Sequence, residues 1–359
     1  MGNLFKNKKS DNFVLKISLT AGILPDIFIT QLKGGTMNKL LSVLKWVGIV
    51  LGVAIVLFVA AVFALQNKSF DAPYPNITAS SDSSVIARGR HLANGPAHCV
   101  NCHFAKEDLQ KAVNGEPVEL KGGFEFALPF GVIRTLNITS DKETGIGNLS
   151  DKEIARVLRY GVFPDGRAVF DFMPFHDLSD EDLTAVISYL RTLPPVNHTV
   201  VNREINFLGK AVVAFIITPV GPTGEPPKET TIDSTSAYGK YLAHSVANCV
   251  GCHTERNMMT GAFVGDPFSG GFKMPSDEKP ELTFTTPNLT PDPETGKIFQ
   301  WTEDVFMHRF RQGVQIAGTP MPWGAFKNMT DLELKAIYRY LQTVEPIHKK
   351  IDHVVSKTE

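Results

Sequence analysis

Every cysteine in the chain falls within one of two copies of the same short pattern, Cys99-Val-Asn-Cys102-His103 and Cys249-Val-Gly-Cys252-His253. Two thiols three positions apart, followed at once by an imidazole, form the attachment signature of c-type haem. The thiols reach the two vinyl groups along one porphyrin edge, and the neighbouring histidine offers a nitrogen to one axial face of the iron. A redox dithiol or half a zinc site would use C-x-x-C without needing that histidine, and a zinc site would have to join pairs about 150 residues apart. The expectation is therefore two covalent haems, one on Cys99 and Cys102 and one on Cys249 and Cys252, with His103 and His253 as axial ligands.

The opposite axial face needs a second ligand. Met173-Pro174 lies 70 residues after His103, and Met321-Pro322 lies 68 after His253. A thioether is a soft ligand that favours reduced iron, and with an imidazole it closes the iron to substrates. Met173 and Met321 are the expected ligands; Met258, Met259, Met274, Met307 and Met329 read as core filler. His176 is the rival for the first iron, whereas the second copy carries Gly324 there. His98 and His308 read as surface residues. Arg159 and Arg311 close the middle helices at equivalent positions and are candidates for binding haem propionates, a surface role being the alternative.

These residues sit in an internal duplication. Gly89-Arg-His-Leu92 repeats as Gly239-Lys-Tyr-Leu242 at an offset of 150, shared by the two cysteine motifs. Asn137-Ile-Thr-Ser-Asp141-Lys-Glu143-Thr-Gly145 repeats from Asn288 at 151, Arg159-Tyr-Gly161 from Arg311 at 152, and Leu183 to Leu190 from Leu334 at 151. So regular an offset implies two copies of one domain.

Each copy reads as a short helix entering the cysteine motif, a Gly/Pro-rich loop, a middle helix ending at Gly161 or Gly313, a Met-Pro loop and a final helix. Ser150 with Glu153, Ser179 with Asp182, and Thr330 with Glu333 have N-cap and N3 spacing, Asp182 being the weaker partner. Leu183, Ile187 and Leu190, and Leu334, Ile337 and Leu341, form core-facing helical stripes. Gly89 and Gly239 are expected to let the first helix cross close to the last, near Tyr189 and Tyr340. The fold class expected is all-α, with tandem domains at 84–196 and 236–347, linkers at 67–83 and 197–235, and a tail at 348–359.

Ahead of them, Trp46 to Leu65 is a run of twenty residues without a charge, long enough to cross a bilayer as a helix. Residues 1–45 hold seven lysines against Asp11 and Asp26, a net of +5. The positive-inside bias puts this segment in the cytoplasm and everything after the span, 46–66, on the outer side of the inner membrane, where bacterial haem attachment takes place. A cleaved signal peptide ending near Val62-Phe63-Ala64 is the alternative to an uncleaved anchor. Residues 1–36 have no clear period, and the conventional anchor begins at Met37, the expected start of translation. In the second linker, Ala211 to Ile217 is apolar but too short to span; it reads as packing over a domain or haem edge, with interfacial membrane contact the lesser reading.

With these residues in hand, the chain resembles class I cytochrome c domains in tandem, and more narrowly the di- and tri-haem cytochromes related to the cytochrome subunits of bacterial alcohol and gluconate dehydrogenases. The resemblance rests on Leu128-Pro-Phe-Gly131 running to Asn137-Ile-Thr-x-Asp141, Met173-Pro-Phe, Leu178 to Leu183 with Tyr189-Leu190, and in the second copy Asn288 to Gly296, Trp301 and Met321-Pro-Trp. It implies that the Pro129 carbonyl orients the His103 ring. The second copy reads Thr283-Phe-Thr-Thr-Pro287 instead, which leaves its equivalent contact open. The dehydrogenase subunits usually have three haem motifs and attach differently, so their substrates do not carry over.

A net charge of −1 argues against nucleic acid as a partner. The chain has no flavin or nucleotide fingerprint, no spare cysteine and no isolated carboxylate pair. The expected function is a membrane-anchored electron carrier between a redox-protein donor and acceptor, with no small-molecule substrate. A di-haem peroxidase or thiosulfate dehydrogenase-like enzyme, and a permanent electron-accepting subunit of a dehydrogenase, are the alternatives.

Overall fold

The computed structural model describes residues 34–257 and 261–358; Met258, Met259 and nearly all of the segment before Met37 lie outside the described residues. Helix α1 (Gly34–Leu65) includes the apolar run, and its stretch Met37–Leu65 is long and apolar enough to cross a membrane. The described residues up to Phe58 form one unit, and those from Val59 onward a second.

In the second unit the duplication is explicit. The first copy runs α2 (Ser83–Asn94), the cysteine motif, α3 (Leu109–Asn114), β1 (Glu125–Leu128), β2 (Gly131–Arg134), α4 (Asp151–Tyr160), α5 (Asp180–Thr192) and β3 (Arg203–Ile205). After α6 (Phe207–Phe215), the second copy runs α7 (Ser236–Tyr241), α8 (Cys249–Cys252), β4 (Lys273–Pro275), β5 (Leu282–Thr285), α9 (Glu303–Arg311), α10 (Trp323–Phe326), α11 (Asp331–Leu341) and β6 (Val355–Lys357).

The helix ends follow local chemistry. Ser150 caps α4 in a full capping box with Glu153, and Gly161, at φ 60°, ends it by donating its N–H to the Val157 carbonyl. Thr330 and Glu333 form the same box on α11. Ser179 caps α5 without the reciprocal bond, because the shorter Asp182 carboxylate is directed elsewhere. Where α2 crosses α5, a Cβ on Gly89 would stand 1.8 Å from the Ala185 carbonyl oxygen; on Gly239 it would stand 1.9 Å from that of Ala336. Only glycine lets these backbones touch. Leu183, Ile187, Leu334, Ile337 and Leu341 are fully buried in one core cluster shared by both copies.

The fold is not all-α. Each copy also holds a three-stranded antiparallel sheet, β1-β2-β3 and β4-β5-β6. The hairpins come from the Gly/Pro-rich loops, and the third strands come from segments expected to be linker and tail. Strands of three or four residues are too short for alternation to be legible in sequence. Each copy thus continues past its final helix to a strand that pairs back.

The copies meet across a pseudo-two-fold axis. His91 Nε2 lies 2.9 Å from the Glu333 carboxylate; at the equivalent positions, the Tyr241 hydroxyl donates to Asp182 at 2.8 Å. Arg88 joins both, with Nε donating to Asp182 at 2.9 Å and Nη1 to Glu333 at 3.3 Å. Both carboxylates are 1% exposed and therefore need these partners.

Candidate functional site

Each cysteine motif is preceded by a residue in the left-handed region, His98 (φ 41°) and Asn248 (φ 50°). That conformation breaks the incoming helix and starts a new turn. The His103 N–H then donates to the Cys99 carbonyl at 3.0 Å, and that of His253 to Cys249 at 2.8 Å. One turn thereby carries both thiols and the imidazole on a single side, the geometry that C-x-x-C-H needs.

Backbone carbonyls orient both rings. His103 Nδ1 lies 2.8 Å from the Leu136 oxygen and His253 Nδ1 lies 3.0 Å from the Pro287 oxygen. A carbonyl only accepts, so Nδ1 carries the proton and Nε2 keeps its lone pair for a metal. Burial lowers the pKa of His103 and pushes that of His253 down to about 4, keeping both rings in the neutral, metal-binding form.

The expectation that Pro129 holds the His103 ring is corrected here. Pro129 stands in the turn between β1 and β2, and the acceptor is seven residues further on. The second copy has the same contact, because Leu136 and Pro287 are equivalent positions, each directly before the repeated Asn-x-Thr block. The signal was there: Asn137, 2% exposed, donates to Thr144 and to the Val196 carbonyl while accepting from Thr139. Asn288 does the same with Thr295, the Ile347 carbonyl and Thr290. Each asparagine clamps its loop to the chain beyond the final helix and so fixes the carbonyl just before it.

Cys99, Cys102, His103 and Met173 line one cavity of about 340 Å³. Its walls are mostly apolar, among them Ile154, Leu158, Leu178, Val186 and Leu190, with Arg134, Asn137 and Asn202 supplying polar atoms. A flat apolar macrocycle would fit this cavity, held by the Cys99 and Cys102 thiols, with His103 and Met173 available to its iron. Burial pushes Cys99, Cys102 and Cys249 up to about 12, the reverse of the acidic thiols of a dithiol catalyst. Among the described residues, no group of three or more His, Cys, Asp or Glu side chains is arranged to hold a metal ion.

The Met173 carbonyl accepts from the Phe175 N–H at 2.8 Å and that of Met321 from Trp323 at 2.7 Å, so the two loops turn alike. Both side chains pack against the core, as do Cys99 and Cys249. Met321 also lines a cleft of about 70 Å³ with Asn101, Phe104 and Phe124 of the first copy.

Among the other candidates His98 also lines the cavity, and the rest go elsewhere. His176 is buried, with Nε2 at 2.9 Å from Asp171 and Nδ1 unpartnered, and it is not among the residues lining the cavity. His98 is half-buried against Phe326 of the second copy, with ring centroids 5.3 Å apart, and is no surface residue. His308 is exposed. Arg159, 3% exposed, donates to the His176 and Leu178 carbonyls and pairs with Asp180; Arg311 donates to the Lys327 carbonyl and pairs with Asp331. Both guanidiniums are committed to the start of the final helices, and neither lines the cavity.

Two thiols, an oriented imidazole and a thioether lining one apolar cavity are a donor set that fits c-type haem. The comparisons agree: residues 86–194 match the family model described as Cytochrome c. The chain is 28% identical over 284 residues to the gluconate 2-dehydrogenase cytochrome c subunit of Pantoea cypripedii, covering 74% of this chain and 60% of that one. It is 27% identical over 308 residues to the cytochrome c subunit of the quinone alcohol dehydrogenase of Gluconobacter oxydans (strain 621H), covering 80% and 60%. With a diheme cytochrome c-type protein of Cereibacter sphaeroides it shares 25% over 260 residues, 69% of this chain and 82% of that one. The chain thus spans about three fifths of the length of the two dehydrogenase subunits it matches.

Proposed function

We propose that this chain is a membrane-anchored di-haem c-type cytochrome that relays single electrons between redox proteins on the outer face of the inner membrane. The observation that carries this reading is the duplicated turn of two thiols and a neutral imidazole, each imidazole oriented by an equivalent backbone carbonyl. Haem c, when bound, supplies a one-electron couple at each site. The protein's part is to hold His103 and Met173 about one iron and His253 and Met321 about the other, and to shield both from water.

The relatives named as dehydrogenase cytochrome subunits favour a second reading, in which this chain is the electron-accepting subunit of a dehydrogenase complex. Co-purification of a catalytic subunit from mildly solubilised membranes supports it; recovery of the cytochrome alone supports the free carrier.

A spectroscopic redox titration tests the main reading by counting haems and reporting their ligation. The oxidised protein is expected to show the far-red sulfur-to-iron band, and Met173→Ala and Met321→Ala each to remove about half of it. A band that neither substitution changes overturns the methionine assignments. Rapid peroxide turnover by the unsubstituted protein overturns the carrier reading in favour of a di-haem enzyme.

A further inference from the structure

We propose that α6, between the two copies, lies in the headgroup region of the bilayer and docks the haem-bearing body on the membrane surface. This rests on the reading of α1 as an anchor. Residues 62–65 of α1 belong to the same compact unit as α6. Several contacts hold the two together: the Phe63 and Phe207 rings lie 6.3 Å apart, and Lys210 Nζ sits 4.9 Å from the Phe63 ring centroid. Just after the span, Lys68 Nζ donates to the Ala214 carbonyl at 3.0 Å and Asn67 accepts from Arg203 at 3.0 Å. The outer end of the span and α6 are therefore at one level.

Helix α6 is apolar on both sides. Gly209, Val212, Val213 and Ala214 are buried against the protein. On the other side Phe207 is 44% exposed, Leu208 51%, Phe215 48% and the following Ile216 46%. Phe207, Ala211 and Phe215 recur every four residues and, with Leu208, make one outward stripe. A surface helix normally turns charged residues outward, and an apolar patch with basic neighbours beside a span end fits the lipid interface. Lys68, which donates to the Ala214 carbonyl, and Lys210, on the helix itself, stand beside it and suit anionic headgroups.

The test uses the full-length, haem-loaded protein in phosphatidylcholine–phosphatidylglycerol vesicles, with single nitroxide labels on Leu208→Cys, Ile216→Cys, Val56→Cys in the span and Val305→Cys on α9. Collision with oxygen, which concentrates in lipid, is compared with collision with a water-soluble nickel chelate. The oxygen-to-nickel ratio at positions 208 and 216 is expected to be several-fold above that at 305 and to approach that at 56. If 56 reads as lipid while 208 and 216 match 305, the docking proposal falls and the anchor stands. If 208 and 216 are shielded from both reagents, a protein partner covers α6 and the proposal falls. If 56 itself reads as water, the anchor reading has failed and takes the proposal with it.

Discussion

Arg88 and Tyr238 occupy the same position in the two copies, and they touch: Arg88 Nη2 donates to the Tyr238 hydroxyl at 3.2 Å. A residue that meets its own repeat equivalent lies beside the axis relating the copies. Arg88 also serves Asp182 and Glu333 on opposite sides of that axis. Its removal leaves two buried carboxylates short of a positive partner. Arg88→Ala is expected to cost about 3 kcal/mol in urea unfolding, against about 1 kcal/mol for Tyr238→Phe, which removes one hydrogen bond. Equal small effects of both would show that the interface does not depend on the charge.

The same cluster predicts a stability optimum bounded on both sides. Burial raises the Glu333 pKa, but His91, the Thr330 N–H and Arg88 outweigh it and leave it lowered. A lowered carboxylate contributes stability that is present above its unfolded value and lost as pH falls through the folded one. On the alkaline side, burial pushes Tyr238 up to about 12 and, with Asp182, raises Tyr241 further. Those hydroxyls stay protonated in the fold while unfolded tyrosine ionises near about 10, so stability declines above that pH. Denaturation midpoints across the pH range check this. The combined Tyr238→Phe and Tyr241→Phe variant should flatten the alkaline limb and leave the acid limb in place.

Gly89→Ala and Gly239→Ala each put a methyl group inside a carbonyl of the crossing helix. Neither backbone can give way by the distance required, so each is expected to cost at least about 3 kcal/mol and to abolish haem-loaded protein from its own copy. Gly48→Ala and Gly52→Ala, where an added Cβ meets nothing within 4 Å, are the controls and should leave the yield unchanged. Haem per chain, from absorbance and intact mass, is the measurement.

Arg159 and Arg311 are equivalent in sequence and unequal in burial, at 3% exposed against an exposed side chain. Arg159 holds the His176 and Leu178 carbonyls a few residues past Met173, so Arg159→Ala orphans buried acceptors. The expected cost is about 2 kcal/mol, with a weakened far-red band from the first haem as the Met173 loop loosens. Arg311→Ala should cost less than about 1 kcal/mol and leave the band intact. Equal effects would show that burial is not what separates the two.

The sequence by itself determined the chemistry: two thiol pairs each followed by histidine, methionines at matched positions, caps and core stripes for the helices, and glycines at the helix crossings. Each of these is a local pattern or a repeat at constant offset, and local patterns need no knowledge of what folds back. Tertiary structure alone decided that the Leu136 and Pro287 carbonyls, rather than that of Pro129, orient the rings, because a carbonyl is present at every residue and only its placement distinguishes one. It alone turned linker and tail into third strands, since a three-residue strand exists only by virtue of its partner. It also decided how the copies face each other. Asp182, Glu333, Arg88, His91, Tyr238 and Tyr241 look like surface residues until the second copy buries them, and no spacing along one chain reveals which two faces will meet.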